Sequence, residues 1–74
     1  MKTARQLAEY MAKRGKSALE VAGPGTASEI RARLVRAGES PPNVESIRRY
    51  LRAAKRAGFA SSVDGRTFAL RGAT

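Results

Sequence analysis

Five basic side chains lie close together in the second half of the chain, at spacings of one, three and four residues. They are Arg48, Arg49, Arg52, Lys55 and Arg56. A guanidinium group donates paired hydrogen bonds to a phosphate or to the acceptor edge of a base, and an ammonium group attracts the same anions as a point charge. The chemistry that these residues predict is anion binding, in which no covalent bond is made or broken.

Other kinds of chemistry have few candidate residues. The chain has no Cys and no His, which excludes disulfides and the usual zinc sites. The Asp and Glu residues are scattered along the chain, whereas general acid-base catalysis needs a titratable pair in a pocket. We therefore expect no enzymatic activity, no catalytic residue, no metal or cofactor, and no small-molecule substrate.

The overall charge favours a polyanionic partner. Fifteen Lys and Arg residues against six Asp and Glu residues give a net charge of +9, a balance typical of nucleic-acid-binding proteins. There is no apolar run near the roughly 18 residues of a spanning helix, and no signal-peptide pattern. The expectation is a cytoplasmic protein without a membrane partner. The abundance of Arg and Ala suggests a GC-rich coding genome, and so a bacterial or phage origin.

A first helix is predicted over residues 3–14. Leu7, Tyr10 and Met11 share one side of a helical wheel, and Thr3 with Gln6 matches a capping box. Gly15 then has the position of a helix stop. The segment 16–25 stays open, because Ser17 with Glu20 suits a helix start whereas Leu19 and Val21 alternate as in a strand.

Two further helices are predicted over residues 26–37 and 43–57. Thr26 with Glu29 forms another capping box. Gly38 has the position of a C-terminal cap for the second helix, and Pro41-Pro42 force a turn after it. Asn43 is a good N-cap for the third. The buried side of the second helix is predicted to contain Ala27, Ile30, Leu34 and Ala37. Val35 lies off that side and packs either against a neighbouring element or against a partner subunit.

The third helix has the clearest amphipathic pattern in the chain. Its apolar arc contains Val44, Ile47, Tyr50, Leu51, Ala54 and Ala57. The five basic residues lie opposite, accompanied by Glu45. A helix that is merely soluble usually alternates acidic and basic residues at i, i+4, so this excess of cations favours a binding surface over a solvated one.

A hairpin is predicted over residues 59–70, because Asp64-Gly65 is a favoured pair for a two-residue type I′ turn. That turn pairs Val63 with Arg66, Ser61 with Phe68 and Phe59 with Leu70. It places Phe59, Val63, Phe68 and Leu70 on one face and the small residues Ala60, Ser62, Thr67 and Ala69 on the other. The chain is then one domain over residues 1–74. A chain this short often gains stability from a partner, so we expect a homodimer or stabilisation by a bound ligand.

The stretch from Asn43 to Phe59 resembles the recognition helix and the start of the wing in the winged helix-turn-helix superfamily. The shared pattern is supplied by Ile47, Leu51, Ala54, Ala57-Gly58 and Phe59, and a looser similarity extends from about Thr3 to Arg71. Two features depart from the family: Ala54 is smaller than its usual counterpart, and Pro41-Pro42 lengthen the turn. The resemblance implies an α+β, mainly α fold, a three-helix bundle with a C-terminal β-hairpin wing.

The resemblance also implies binding of double-stranded DNA, with the third helix in the major groove. Ser46, Arg48 and Arg49 are then candidates for base contacts, and Glu45 either accepts from cytosine or orients an arginine. Asn43 stands at the start of that helix, as the family pattern implies. The candidates for contacts with the DNA backbone are Arg52, Lys55 and Arg56. Outside the helix, the candidates are Arg66 at the wing tip, and Thr26 and Ser28 as phosphate contacts at the start of the second helix.

The expected function is that of a transcriptional regulator, such as a repressor from a bacterium or phage, associated with the nucleoid when bound. The main alternative is a phage-encoded adaptor or inhibitor whose basic face binds an acidic protein surface. RNA binding is less favoured, because RNA-binding modules usually have aromatic platforms or glycine-lysine loops that this chain lacks.

Overall fold

Three helices and a small antiparallel sheet form the protein, as seen in a computed structural model that describes residues 3–72. The order of elements is α1 (Ala4–Ala22), β1 (Gly25–Thr26), α2 (Ala27–Arg36), α3 (Val44–Arg56), β2 (Ala60–Ser62) and β3 (Thr67–Leu70). The predicted α+β, mainly α class is confirmed at this level. The ends of the predicted domain, residues 1–2 and 73–74, lie outside the described residues.

Helix α1 is longer than predicted. Its capping box is present: the Gln6 N–H donates to Thr3 Oγ1 at 3.2 Å, and the Thr3 N–H donates to Gln6 Oε1 at 3.0 Å. The predicted stop at Gly15 is wrong, because the helix continues to Ala22 and ends at Gly23, which has a φ of 77°. Residues 16–22, which the sequence left open, are therefore helical.

Gly15 serves helix packing instead. It is buried, and a Cβ placed on it would overlap the backbone oxygen of Tyr50 and lie 2.9 Å from the Cβ of Ala54. The missing side chain lets α1 and α3 cross in close contact. A glycine at a helix crossing and a glycine that ends a helix have the same sequence signature here, which explains the error.

Helices α2 and α3 begin at the predicted caps. Thr26 and Glu29 form the second capping box, and the Asn43 side chain accepts the Ser46 N–H at 2.9 Å. Each helix ends one residue before the predicted position, which is within the usual uncertainty of helix ends. Between them, Arg31 Nε donates to the Pro42 carbonyl at 2.8 Å, so α2 anchors the proline turn.

The core lies between the three helices and one face of the sheet. Its largest fully buried side chains are Leu19, Ile30, Ile47, Leu51 and Phe68. The predicted inner sides of α2 and α3 face the core, with Val44 and Tyr50 only partly buried there. Their last predicted positions do not, since Ala37 and Ala57 are exposed. Both residues lie just past the last residue of their helix, where the chain turns away. Val35 is 51% exposed and does not pack into the core.

The sheet has the strand order β1-β3-β2. Strand β1 was not predicted; it pairs Gly25 with Phe68 and so joins the α1–α2 connection to the hairpin. The hairpin itself pairs Ala60 with Leu70 and Ser62 with Phe68. The predicted register is therefore wrong by one residue.

The turn explains the different register. A type I′ turn needs positive φ at both central residues, and Asp64 does not have it. Instead Asp64 Oδ1 accepts the N–H groups of Arg66 and Thr67 at 2.9 and 2.8 Å, which stabilises a four-residue loop over residues 63–66. Since a shift of one residue reverses the faces of a strand, Ala60 is buried and Val63 is fully exposed.

Candidate nucleic-acid interface

The α3 basic face is the largest cluster of predicted site residues that the structure brings together. We use this name for Arg48, Arg49, Arg52, Lys55 and Arg56. Spacings of three and four residues place these side chains along one side of a helix. All except Arg48 are exposed, so the structure presents the predicted cations to solvent.

The opposite side of α3 fixes this orientation. Ile47, Leu51 and Ala54 are at most 2% exposed and pack against α1, α2 and the sheet. Turning the helix to hide the cations would expose these apolar side chains, which costs about 1.5–3 kcal/mol for each large one. The basic face is therefore held outward by the core.

Glu45 pairs with Arg48 in the first turn of α3. Of its two predicted roles, accepting from a base and orienting an arginine, the second requires a pair of this kind. Arg48 is 38% exposed and is held close to the helix by this pair. Arg49, Arg52, Lys55 and Arg56 form no ion pair with any carboxylate in residues 3–72, and so they keep their full donor capacity.

The start of α3 is more constrained than the rest of the face. The side-chain oxygen of Asn43 is occupied by the cap, where it accepts the Ser46 N–H. Ser46 itself is half-buried. Both residues stand beside the basic face, and their position depends on the cap.

Arg66 lies apart from α3, on the exposed hairpin loop. Within this loop the N–H groups of Thr67 and Arg66 lower the pKa of Asp64 below its usual value of 3.8. Asp64 therefore stays ionised at neutral pH and holds the loop in shape. Arg66 and Val63 are exposed, as are Asp64 and Gly65 between them.

The start of α2 offers little to a phosphate. The Thr26 hydroxyl accepts the Glu29 N–H, and the Thr26 N–H donates to the Glu29 carboxylate at 2.9 Å. These hydrogen bonds lower the pKa of Glu29 below its usual value of 4.5, so a negative charge already occupies this helix end. Ser28 is exposed beside it.

Sequence reasoning missed a groove between α1 and α3. It has a volume of about 810 Å³, and its lining includes Arg5, Leu7, Met11 and Lys13 of α1 together with three cations of the α3 basic face. The sequence placed Leu7 and Met11 on one side of a helical wheel, and the structure shows that Leu7 on this side is 49% exposed. The spacing indicates an apolar side of α1, whereas the groove appears only when α1 and α3 are placed against each other at Gly15.

The described residues show neither a metal site nor a membrane-spanning helix. Within residues 3–72 no cluster of Asp, Glu, His or Cys side chains is suited to hold a metal ion. Among the helices of the same residues, none has the length and apolar character needed to cross a membrane.

Comparison with known proteins gives no assignment: no family model, no curated protein and no solved structure matches the chain.

Proposed function

We propose that this protein binds double-stranded DNA in a sequence-specific manner and regulates transcription, in the manner of a winged helix-turn-helix domain. The observation that carries the proposal is the α3 basic face, four of whose cations are exposed and form no ion pair within residues 3–72, while Ile47, Leu51 and Ala54 on the other side of the helix are buried. A single helix with such a face fits the width of the major groove.

The arrangement of the other elements supports this proposal. A three-helix bundle is followed by a hairpin, and the sheet is extended by β1. This order is compatible with a winged helix whose wing is β2, β3 and the loop between them. The wing tip carries Arg66, for contact with a minor groove or with the adjacent backbone.

The proposed contacts divide along α3. Arg49 is exposed near the start of the helix and has no ion pair among the described residues, which makes it the foremost candidate for a base contact. Arg48 takes the same role only by giving up its pair with Glu45. Arg52, Lys55 and Arg56 follow along the helix and are assigned to phosphates, which position a protein on DNA without reading its sequence.

The proposal is tested by titrating a labelled random duplex with the wild-type protein and with the Arg49→Ala, Arg52→Ala double variant. We expect the double variant to bind at least about tenfold more weakly at low salt, because each lost phosphate or base contact costs on the order of 1 kcal/mol.

The matched control is the Arg36→Ala, Arg71→Ala double variant, which removes the same charge from exposed positions outside α3. It should bind nearly as well as the wild type. Equal losses in both double variants would assign binding to net charge alone. Absence of binding by the wild type at low salt would contradict the proposal.

A further inference from the structure

The groove between α1 and α3 has an apolar floor. It lies on the N-terminal side of the crossing at Gly15, and its floor is built from Leu7, Ala8 and Met11 of α1, from Ala53 of α3 and from Ala57, which follows α3. The segment of α1 that lines it, from Ala4 to Lys13, is roughly 15 Å long at the rise of an α-helix. The groove is therefore long enough for about three turns of a docked helix.

Leu7 in this floor differs from the other leucines of the three helices. Leu7 is 49% exposed, whereas Leu19, Leu34 and Leu51 are at most 5% exposed. An apolar surface that is recessed and lined along two sides by helices is the kind of site that binds an amphipathic helix through residues at i, i+3, i+4 and i+7. Such a helix would cover Leu7 and Met11.

The rim of the groove selects the charge of its occupant. Arg5 and Lys13 line it from α1, and Arg49, Arg52 and Arg56 line it from α3. Glu9 is the only carboxylate in the lining. A second copy of the chain in this groove would bring these cations opposite one another, which is unfavourable. DNA would satisfy the cations but would leave the apolar floor uncovered.

From the apolar floor and the cationic rim together, we infer that this groove docks an acidic amphipathic helix of a partner protein. The apolar side chains of that helix enter between α1 and α3, and its Asp and Glu side chains face the rim. Because Arg49, Arg52 and Arg56 also belong to the α3 basic face, an occupied groove withdraws them from DNA. This last consequence, competition with DNA, is the only part that rests on the proposed function.

The test is an NMR titration of the ¹⁵N-labelled full chain, without DNA, using a synthetic helical peptide of roughly 15 residues. The peptide has leucines at i, i+3, i+4 and i+7 and glutamates on its other side. A peptide of the same composition in scrambled order keeps the charge and loses the apolar stripe. We expect saturable shifts at the amides of Leu7, Met11, Ala53 and Ala57 with the first peptide only.

Two protein variants locate the contact. Leu7→Ser should weaken binding of the patterned peptide about tenfold, as expected when one leucine is no longer buried. Val35→Ser is its matched control, since Val35 is 51% exposed and lies outside the groove lining; it should bind like the wild type. Both positions are half-exposed, and the NMR spectrum reports directly whether each variant is folded.

Several results would overturn the inference. Equal binding of both peptides, or equal binding by Leu7→Ser and the wild type, would mean that charge alone attracts the peptide. A dimer in sedimentation that Leu7→Ser dissociates would assign the groove to a second copy. Groove shifts produced by duplex DNA and not by the patterned peptide would assign it to DNA, and the absence of any binding by the patterned peptide would contradict the inference. If the peptide binds and DNA does not, the proposed function fails while this inference stands.

Discussion

Gly15 is the residue on which the contact between α1 and α3 depends most directly. A Cβ at this position would overlap the Tyr50 backbone and press on Ala54, and a backbone atom cannot rotate away as a side chain can. We expect Gly15→Ala to lower the free energy of unfolding by about 1–3 kcal/mol, the usual cost of overpacking a well-packed core. Chemical denaturation followed by circular dichroism measures the change.

The sign of the change in the free energy of unfolding distinguishes a packed Gly15 from an exposed one. In an exposed helix, replacing Gly by Ala stabilises by about 1 kcal/mol. If Gly15→Ala raised the free energy of unfolding by that amount, the close crossing of α1 and α3 would be contradicted.

The role of Gly15 in helix packing could not be predicted from the sequence. It follows Lys13 and Arg14, and a glycine after basic residues is typical of a helix end. The property that matters is its distance from Tyr50, a residue far along the chain. In contrast, Thr3, Thr26 and Asn43 act on residues three positions away, and for that reason their capping roles were predicted correctly.

At the scale of elements, the turn preference of Asp64-Gly65 led to the wrong register for the hairpin. Asp64-Gly65 fits two turns, and the one that forms is determined by hydrogen bonds to the Asp64 carboxylate and to Ser62 Oγ, which accepts the Gly65 N–H. Strand β1 has only two residues, too few for any periodic pattern to show. The fold class and the presence of three helices were predictable, whereas the length of α1 and the sheet register were not.

The register can be checked with two substitutions in the hairpin. Val63 is fully exposed, so Val63→Ser should change the free energy of unfolding by no more than about 0.5 kcal/mol. Phe68 is buried under either register, and Phe68→Ala should cost about 3–5 kcal/mol. Thermal and chemical unfolding of the two variants provide the comparison. A loss above about 1.5 kcal/mol for Val63→Ser would indicate a buried Val63 and would contradict the observed pairing.

At the scale of the whole molecule, two surfaces share a set of arginines. The α3 basic face was predictable in full, because five cations on one side of one helix are visible from spacing alone. The groove was not, because it needs the relative placement of α1 and α3. Arg49, Arg52 and Arg56 belong to both surfaces, so a protein partner and DNA would compete for the same charges.

The most direct test of the DNA-binding proposal is the salt dependence of duplex binding by the wild-type protein. Each neutralised phosphate releases condensed counterions, so the logarithm of the binding constant falls linearly with the logarithm of the salt concentration, by about 0.9 per contact. The cations of α3 that are assigned to phosphates are Arg52, Lys55 and Arg56. Together with Arg66 at the wing tip, they lead us to expect a slope of roughly −4. A slope near zero, or no binding at about 50 mM salt, would contradict the proposal that the α3 basic face binds DNA.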